Sequence, residues 1–213
     1  MVKLKRIFAI GASSIPGEYI IPKLLTAIVS RVPEIELRVD IANSHIIFDR
    51  VRKGEYPLGI IGTKYDSSEV VYQTVVSSDR LVVIAPASHP LAGRAGLRPV
   101  DLKGLGFIAR EKGSGTRSTY ERAFQEAGVA PSDLDLVAEV STAEGVVRGV
   151  AAGAGIAVVS ELIAREAIQR GTICILDIPQ LTIARDFSII TRTGKVPSQD
   201  TKDVISVIMS IMK

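Results

Sequence analysis

Apolar positions along the chain switch repeatedly between two periods. Residues 4–10 form a short apolar run that reads as a strand. Residues 17–31 carry Ile21, Leu24, Leu25 and Ile28, with Val32 just beyond, on one helical stripe that Pro33 ends. Residues 34–41 alternate as a strand does, 44–53 read as a short helix closed by Gly54, and 58–61 as a short buried strand. Residues 70–85 are almost continuously extended in character, with a break at Ser77-Ser78-Asp79, and 90–99 read as a loop. Further strands fall at 106–109, 134–140, 156–159, 173–176 and 187–191, with helices at 116–126, 141–152, 161–169 and 198–212. The last helix presents Val204, Ile205, Ile208, Ile211 and Met212 on one face.

Strands alternating with helices predict α/β architecture with mainly parallel sheets. The rhythm runs twice, before and after the long extended stretch. The 213 residues suffice for two small lobes of about 100 residues each. Two such lobes joined by extended crossings suggest a hinged clamp, with ligands beyond the carboxyl ends of the strands. No sequence repeat of solenoid length is visible.

Composition narrows the function. Hydrophobic residues make up 46% and charged residues 23%, as in an ordinary globular protein. The net charge of +3 rests on a small surplus of Lys and Arg spread along the chain, and there is no Trp, so neither a basic run nor stacking platforms for nucleic acid are evident. The single cysteine, Cys174, lies in an apolar run, where a buried small hydrophobe is the ordinary reading. It allows no internal disulfide and fits a reducing cytoplasm. Residues 1–10 are a basic start and an apolar run too short for a secretory leader, and no apolar stretch has membrane-spanning length.

Four strand-to-helix junctions share one chemistry. They are Gly11-Ala12-Ser13-Ser14, Gly62-Thr63, the loop from Arg110 through Glu111, Lys112, Gly113, Ser114, Gly115 and Thr116 to Arg117, and Ser141-Thr142-Ala143-Glu144. Each offers hydroxyls and free N–H groups at the carboxyl end of a strand, and three open a helix whose dipole favours an anion. Each is also an ordinary helix start taken singly: Ser141 with Glu144, and Ser118 with Glu121, have capping-box spacing. Together with the glycine loop they point to a ligand site. Arg110, Lys112 and Arg117 could draw an anion in or simply be a solvated charged loop; Arg148 and Arg185 are weaker candidates.

Other chemistries lack their residues. The glycine loop has no P-loop pattern. Residues 149–155 precede a strand and read as a helix end and tight turn. His45 and His89 lie apart from any serine-nucleophile pattern, and no acidic or histidine cluster has metal-ligand spacing. No cofactor and no catalytic residue are expected.

Read end to end, the sequence resembles the effector-binding domain of LysR-type transcription regulators. The resemblance covers roughly residues 5–210 and is carried by Gly11-Ala12-Ser13-Ser14 leading to Glu18-Tyr19-Ile20-Ile21-Pro22, by His89-Pro90-Leu91-Ala92, by the loop 110–117 and by residues 149–160. It implies the two-lobed fold of type 2 periplasmic binding proteins with a central cleft. Lobe I would comprise 1–78 and 185–213 and lobe II 79–184, with crossings near Ser78 and Ala184. It also implies a small effector, often an anion or carboxylate, held in that cleft. The implied contacts are Ser13, Ser14, Thr63, Ser114, Gly115, Thr116 and Ser141, beside Arg110 from the chemical reading.

The resemblance further implies a cytoplasmic, non-enzymatic regulator. It forms homodimers through lobe I and tetramers at full length, does not associate with membranes, and contacts DNA only through an N-terminal helix-turn-helix that this chain does not contain. One departure is Ile15 followed by Pro16, where relatives often have a third hydroxyl residue, which thins the polar cradle. The same fold also serves importers as solute-binding proteins, the alternative expectation.

Overall fold

The structure, a computed structural model, describes residues 4–212. Residues 1–3, part of the basic start, and residue 213 lie outside the described residues. In chain order the strands are β1 (Arg6–Ser13), β2 (Ile35–Ala42), β3 (Gly59–Ile61), β4 (Val70–Pro86), β5 (Gly106–Arg110), β6 (Asp135–Val140), β7 (Ala157–Ser160), β8 (Ile173–Ile175) and β9 (Ile183–Arg192). The α-helices are α1 (Ile21–Arg31), α2 (Ser44–Lys53), α3 (Gly115–Glu126), α4 (Ala143–Ala151), α5 (Glu161–Gln169) and α6 (Gln199–Ile211). The chain divides into two compact units: the first runs to Ser77 and resumes at Asp186, and the second is Ser78–Arg185.

In the first unit β1 pairs in parallel with β2, Ile10 opposite Val39, and with β3, Gly11 opposite Gly59. β9 closes the row antiparallel to β3, with Ile60 opposite Ile189. Helix α2 forms between two local signals. The Asn43 side chain accepts from the Ile46 N–H at 3.0 Å, and Gly54 ends the helix at φ 79°, a left-handed turn that glycine enters without cost to a Cβ. It then lies very close to the sheet. A Cβ on Gly59 would stand 2.8 Å from Ile47 and 3.0 Å from Val51, and one on Gly11 2.9 Å from Ile47. Ile47, Phe48, Val51, Ile61, Val70 and Ile190 form the core between helix and sheet.

Two expectations for this unit are corrected. The expected helix from residue 17 opens instead with a π-helical turn, Pro16–Ile20, and regular α1 starts only at Ile21 with Pro22 in its first turn, where a missing N–H is harmless. In α6 the buried face is Thr201, Val204, Val207 and Ile208, while Ile211 is 39% exposed. The helix packs against α1, and its last turn is tied to the end of α1 where Arg31 Nη1 donates to Ser210 Oγ at 2.8 Å.

In the second unit β5 pairs in parallel with β6. The Ile108 N–H donates to the Ile156 carbonyl at 2.9 Å and the Ile156 N–H to the Gly106 carbonyl at 2.8 Å, joining β5 to the chain entering β7. β7 and β8 flank β4, both antiparallel to it. Gly155, at φ 152°, permits the β5 approach, since a Cβ there would collide with the Gly106 carbonyl. Phe107, Tyr120 and Phe124 form an aromatic triangle with centroids 5.5, 5.6 and 6.3 Å apart in the core under α3.

Pairing is parallel among β1, β2 and β3 and between β5 and β6, but β9 on β3 and both β7 and β8 on β4 are antiparallel, so the expected mainly parallel pairing is met only in part. At Ser77-Ser78-Asp79, where a break is expected, β4 is one strand from Val70 to Pro86 but Ser78 takes φ 61°, a left-handed residue inside extended chain, so the break is a single-residue kink.

Candidate functional site

In the first unit the relevant groups gather at the carboxyl ends of β1 and β3. Ser13 is the last residue of β1 and is buried; Ser14, half-buried, begins the turn that becomes the π-helical segment. No side-chain cap closes the start of that segment or of α1, so neither serine is a simple cap. Thr63 follows β3 by two residues, and its Oγ1 is buried with no hydrogen-bond partner. The Tyr65 phenol lies close enough to feel that hydroxyl, which pulls against the effect of burial on Tyr65. Burial pushes the Tyr65 phenol up to about 12.

A second buried hydroxyl, Ser188 Oγ in β9, is likewise without a partner. Ser188 sits opposite Ile61, two residues before Thr63, and is 2% exposed. An unmet buried hydroxyl costs about 1–3 kcal/mol, so two of them on neighbouring strands mark a place where a further donor or acceptor would be welcome. The sequence reading missed Ser188. Its one local signal is a lone polar residue in the apolar run Phe187-Ser188-Ile189-Ile190.

In the second unit, Ser114 occupies the N-cap of α3 but its hydroxyl makes no capping bond. The N–H groups of Gly115, Thr116 and Arg117 therefore open the helix uncapped, at its positive end. Thr116 is buried beside them. Ser118, read as the start of a capping box, lies inside α3 and donates to the Gly115 carbonyl at 3.2 Å. α4 is capped one residue later than expected: Thr142 Oγ1 accepts from the Gly145 N–H at 3.1 Å, while Ser141 is exposed. The structure brings Ser141 to Arg110, whose Nη2 donates to the Ser141 carbonyl at 3.1 Å.

The basic residues of the glycine loop are largely spent on the protein. Arg110 is 3% exposed and grips Glu111 with two hydrogen bonds, at 2.8 and 3.1 Å. Arg117 holds Glu121 and Glu139, each at 2.7 Å, and donates to the Arg110 carbonyl. Of the three, only Lys112 is exposed without an ion pair. Arg148 pairs with Glu144 on the surface of α4.

Arg185 is different: its Nε lies 3.0 Å from Asp79 Oδ2, and Ser160 Oγ donates to Asp79 Oδ1 at 2.6 Å. Burial pushes the Arg185 guanidinium down, against the pull of Asp79. This trio stands where β4 and β9 enter the second unit, and no local pattern announced it.

Neither histidine is placed for catalysis. His89 Nδ1 accepts from the Leu91 N–H at 3.2 Å within its turn, and His45 stands edge-on to Tyr65 at 5.7 Å in the first turn of α2. Among the described residues no group of His, Cys, Asp and Glu could hold a metal ion, and no helix is long and apolar enough to cross a membrane.

Comparison with known proteins shows the family and the fold. Residues 3–212 match the family model described as LysR substrate binding domain. The chain is 31% identical over 193 residues to an uncharacterized HTH-type transcriptional regulator of Methanocaldococcus jannaschii, covering 90% of this chain and 64% of the relative. It is 33% identical over 181 residues to the HTH-type transcriptional regulator CysL of Bacillus subtilis, covering 85% and 59%. The chain thus spans about three fifths of the length of the curated relatives it matches. Among solved structures, the regulatory domain of Synechocystis CcmR in complex with 2-PG superposes with a TM-score of 0.88 at 29% identity, covering 98% of each chain.

Proposed function

Because this chain belongs to the LysR substrate binding domain family, we propose that it senses a small anionic effector on behalf of a cytoplasmic transcription regulator. The observation that carries the reading is the pair of buried, partnerless hydroxyls at Thr63 and Ser188. Ser13 and Ser14 share the strand ends of the first unit with Thr63. The uncapped N–H groups at Gly115 and Thr116, with the Ser114 hydroxyl, offer a second set of donors suited to an anion. Arg110 serves this set from behind, by bracing Glu111 and the Ser141 carbonyl. The 2-PG of the Synechocystis domain makes that compound the first effector to try.

In the full-length regulator, an upstream helix-turn-helix would contact DNA and the effector would shift the population between two arrangements of the protein. The first unit would carry the dimer contact through α1 and β2, whose exposed Leu25, Val29 and Ile41 form an apolar face. No catalytic residue is assigned.

The test is a thermal-shift screen against 2-PG, sulfate, acetylated amino acids and aromatic acids. A ligand that binds only the folded state raises the melting temperature saturably. Thr63→Val is the decisive variant: it removes an unmet hydroxyl, so stability stays equal or rises, while the shift by the effector falls. Flat curves over the whole panel, or a Thr63→Val protein that responds as the parent does, would overturn the assignment.

A further inference from the structure

The first unit holds a cavity of about 100 Å³ whose walls include Tyr56, Pro57, Thr191, Arg192, Lys195 and Val196. Sheet register puts it far from the residues discussed above. β9 runs antiparallel to β3, with Gly59 opposite Ile190 and Ile61 opposite Ser188. Thr191 and Arg192 therefore lie at the amino end of β3, whereas Thr63 lies at its carboxyl end. The six steps along the chain from Pro57 to Thr63 would span roughly 20 Å if extended.

The cavity has an apolar wall and a cationic one. Tyr56 is buried, with its hydroxyl committed to Asp40 at 2.7 Å, so its ring is what the cavity meets. Val196 is 80% exposed, an apolar side chain with nothing over it. Arg192 and Lys195 have no ion-pair partner among the described residues. The Arg192 guanidinium stands next to Gly54, where a Cβ would meet its Nη1 at 3.4 Å. The carboxylates around this cavity are engaged elsewhere: Asp200, in the first turn of α6, is held by Arg6 through two hydrogen bonds of 2.7 and 3.1 Å, Glu69, whose carbonyl accepts from the Thr193 N–H, pairs with Arg52 at 3.1 Å, and Glu55 stands 3.8 Å from Arg50.

We propose that this cavity is a second ligand site, specific for a small organic anion with a short apolar body. The carboxylate would lie between Arg192 and Lys195, and the alkyl part would cover Val196 and the Tyr56 ring. The volume is below the roughly 150 Å³ that admits a benzene ring in an apolar cavity, which limits the body to a few carbons. The proposal stands on the first unit alone and goes beyond the effector reading.

The experiment is a titration of the ¹⁵N-labelled chain with sodium butyrate at fixed ionic strength, with 1-butanol as the uncharged control. Butyrate is expected to give saturable amide shifts at Gly54, Tyr56 and residues 191–198, and butanol none there. The double variant Arg192→Gln/Lys195→Gln, altered only at exposed side chains outside any ion pair, should weaken the binding at least about tenfold, the factor that loss of one charge-assisted hydrogen bond carries. Thr116→Ala should leave these shifts in place, which separates this site from the proposed effector site. Shifts that fail to saturate, appear equally with butanol, survive the double variant, or fall only at residues 13, 14, 63 and 114–116 would overturn the proposal.

Discussion

Replacing Asp79 by Ala should unfold the second unit at markedly lower denaturant. Its carboxylate is 5% exposed as a residue and holds the Arg185 guanidinium at 3.0 Å and the Ser160 hydroxyl at 2.6 Å. Removing it takes this carboxylate away from a guanidinium that is itself nine-tenths out of solvent. Breaking one side of such a pair costs about 3–5 kcal/mol. With a urea m-value of about 2 kcal/mol/M, the midpoint falls by roughly 1.5–2.5 M. Circular dichroism in urea reads this directly, and if the two units unfold separately only the transition of residues 78–185 moves.

The double variant Asp79→Leu/Arg185→Met is the control. With both charges gone and the volume kept, most of the loss should return, because an apolar pair in such a place is often neutral or better. A single-variant cost under about 1 kcal/mol, the value of a surface pair, would refute the reasoning, as would a double variant no more stable than the single.

Three further outcomes follow from the geometry. Gly59→Ala should destabilise by about 1–3 kcal/mol through overpacking, because Ile47 and Val51 must move for the new methyl; a melt indistinguishable from the parent would contradict the close α2 contact. Thr142→Ala should cost about 1 kcal/mol as the lost cap of α4 while Ser141→Ala costs almost nothing, and chemical denaturation of both variants checks the order. The Tyr65 phenol, raised by burial to about 12, binds its proton more tightly in the folded chain than in the unfolded one. The stability this gives is complete below pH 10 and is lost as pH climbs toward 12; an ultraviolet pH titration of the parent and Tyr65→Phe should show one late-ionising tyrosine missing from the variant.

How far the sequence could be read depended on whether a signal was local. Helix α2 was legible to the residue, since Gly54 ends it and the polar-apolar period changes on both sides. The four small-residue junctions were legible for the same reason: Ser, Thr and Gly at strand ends are visible one at a time. What failed needed longer-range knowledge. Ser141 and Thr142 are equally good caps on paper, and the Arg110 hold on the Ser141 carbonyl accompanies the choice of Thr142.

Ser77-Ser78-Asp79 looks like a break because serine and aspartate favour turns. Here Asp79 is drawn into the interior by Arg185, 106 residues away, and the strand continues. Of the partners that take up the charges around the glycine loop, Glu111 and Glu121 lie within local reach of Arg110 and Arg117, and only Glu139, 22 residues from Arg117, arrives through the fold.

The assignment of β9 to the first unit after Arg185 has a consequence for synthesis. The second unit is an insertion, and its own residues end at 185, so it can close while the chain is still emerging from the ribosome. The first unit cannot: β3 keeps an unpaired edge, and α1 an uncovered face, until residues 186–211 arrive with β9 and α6. Growing chains stopped before residue 186 should therefore be the most prone to stick to one another or to be held by chaperones, and residues 186–211 act as the closing stitch of a unit whose first strand was made about 170 residues earlier.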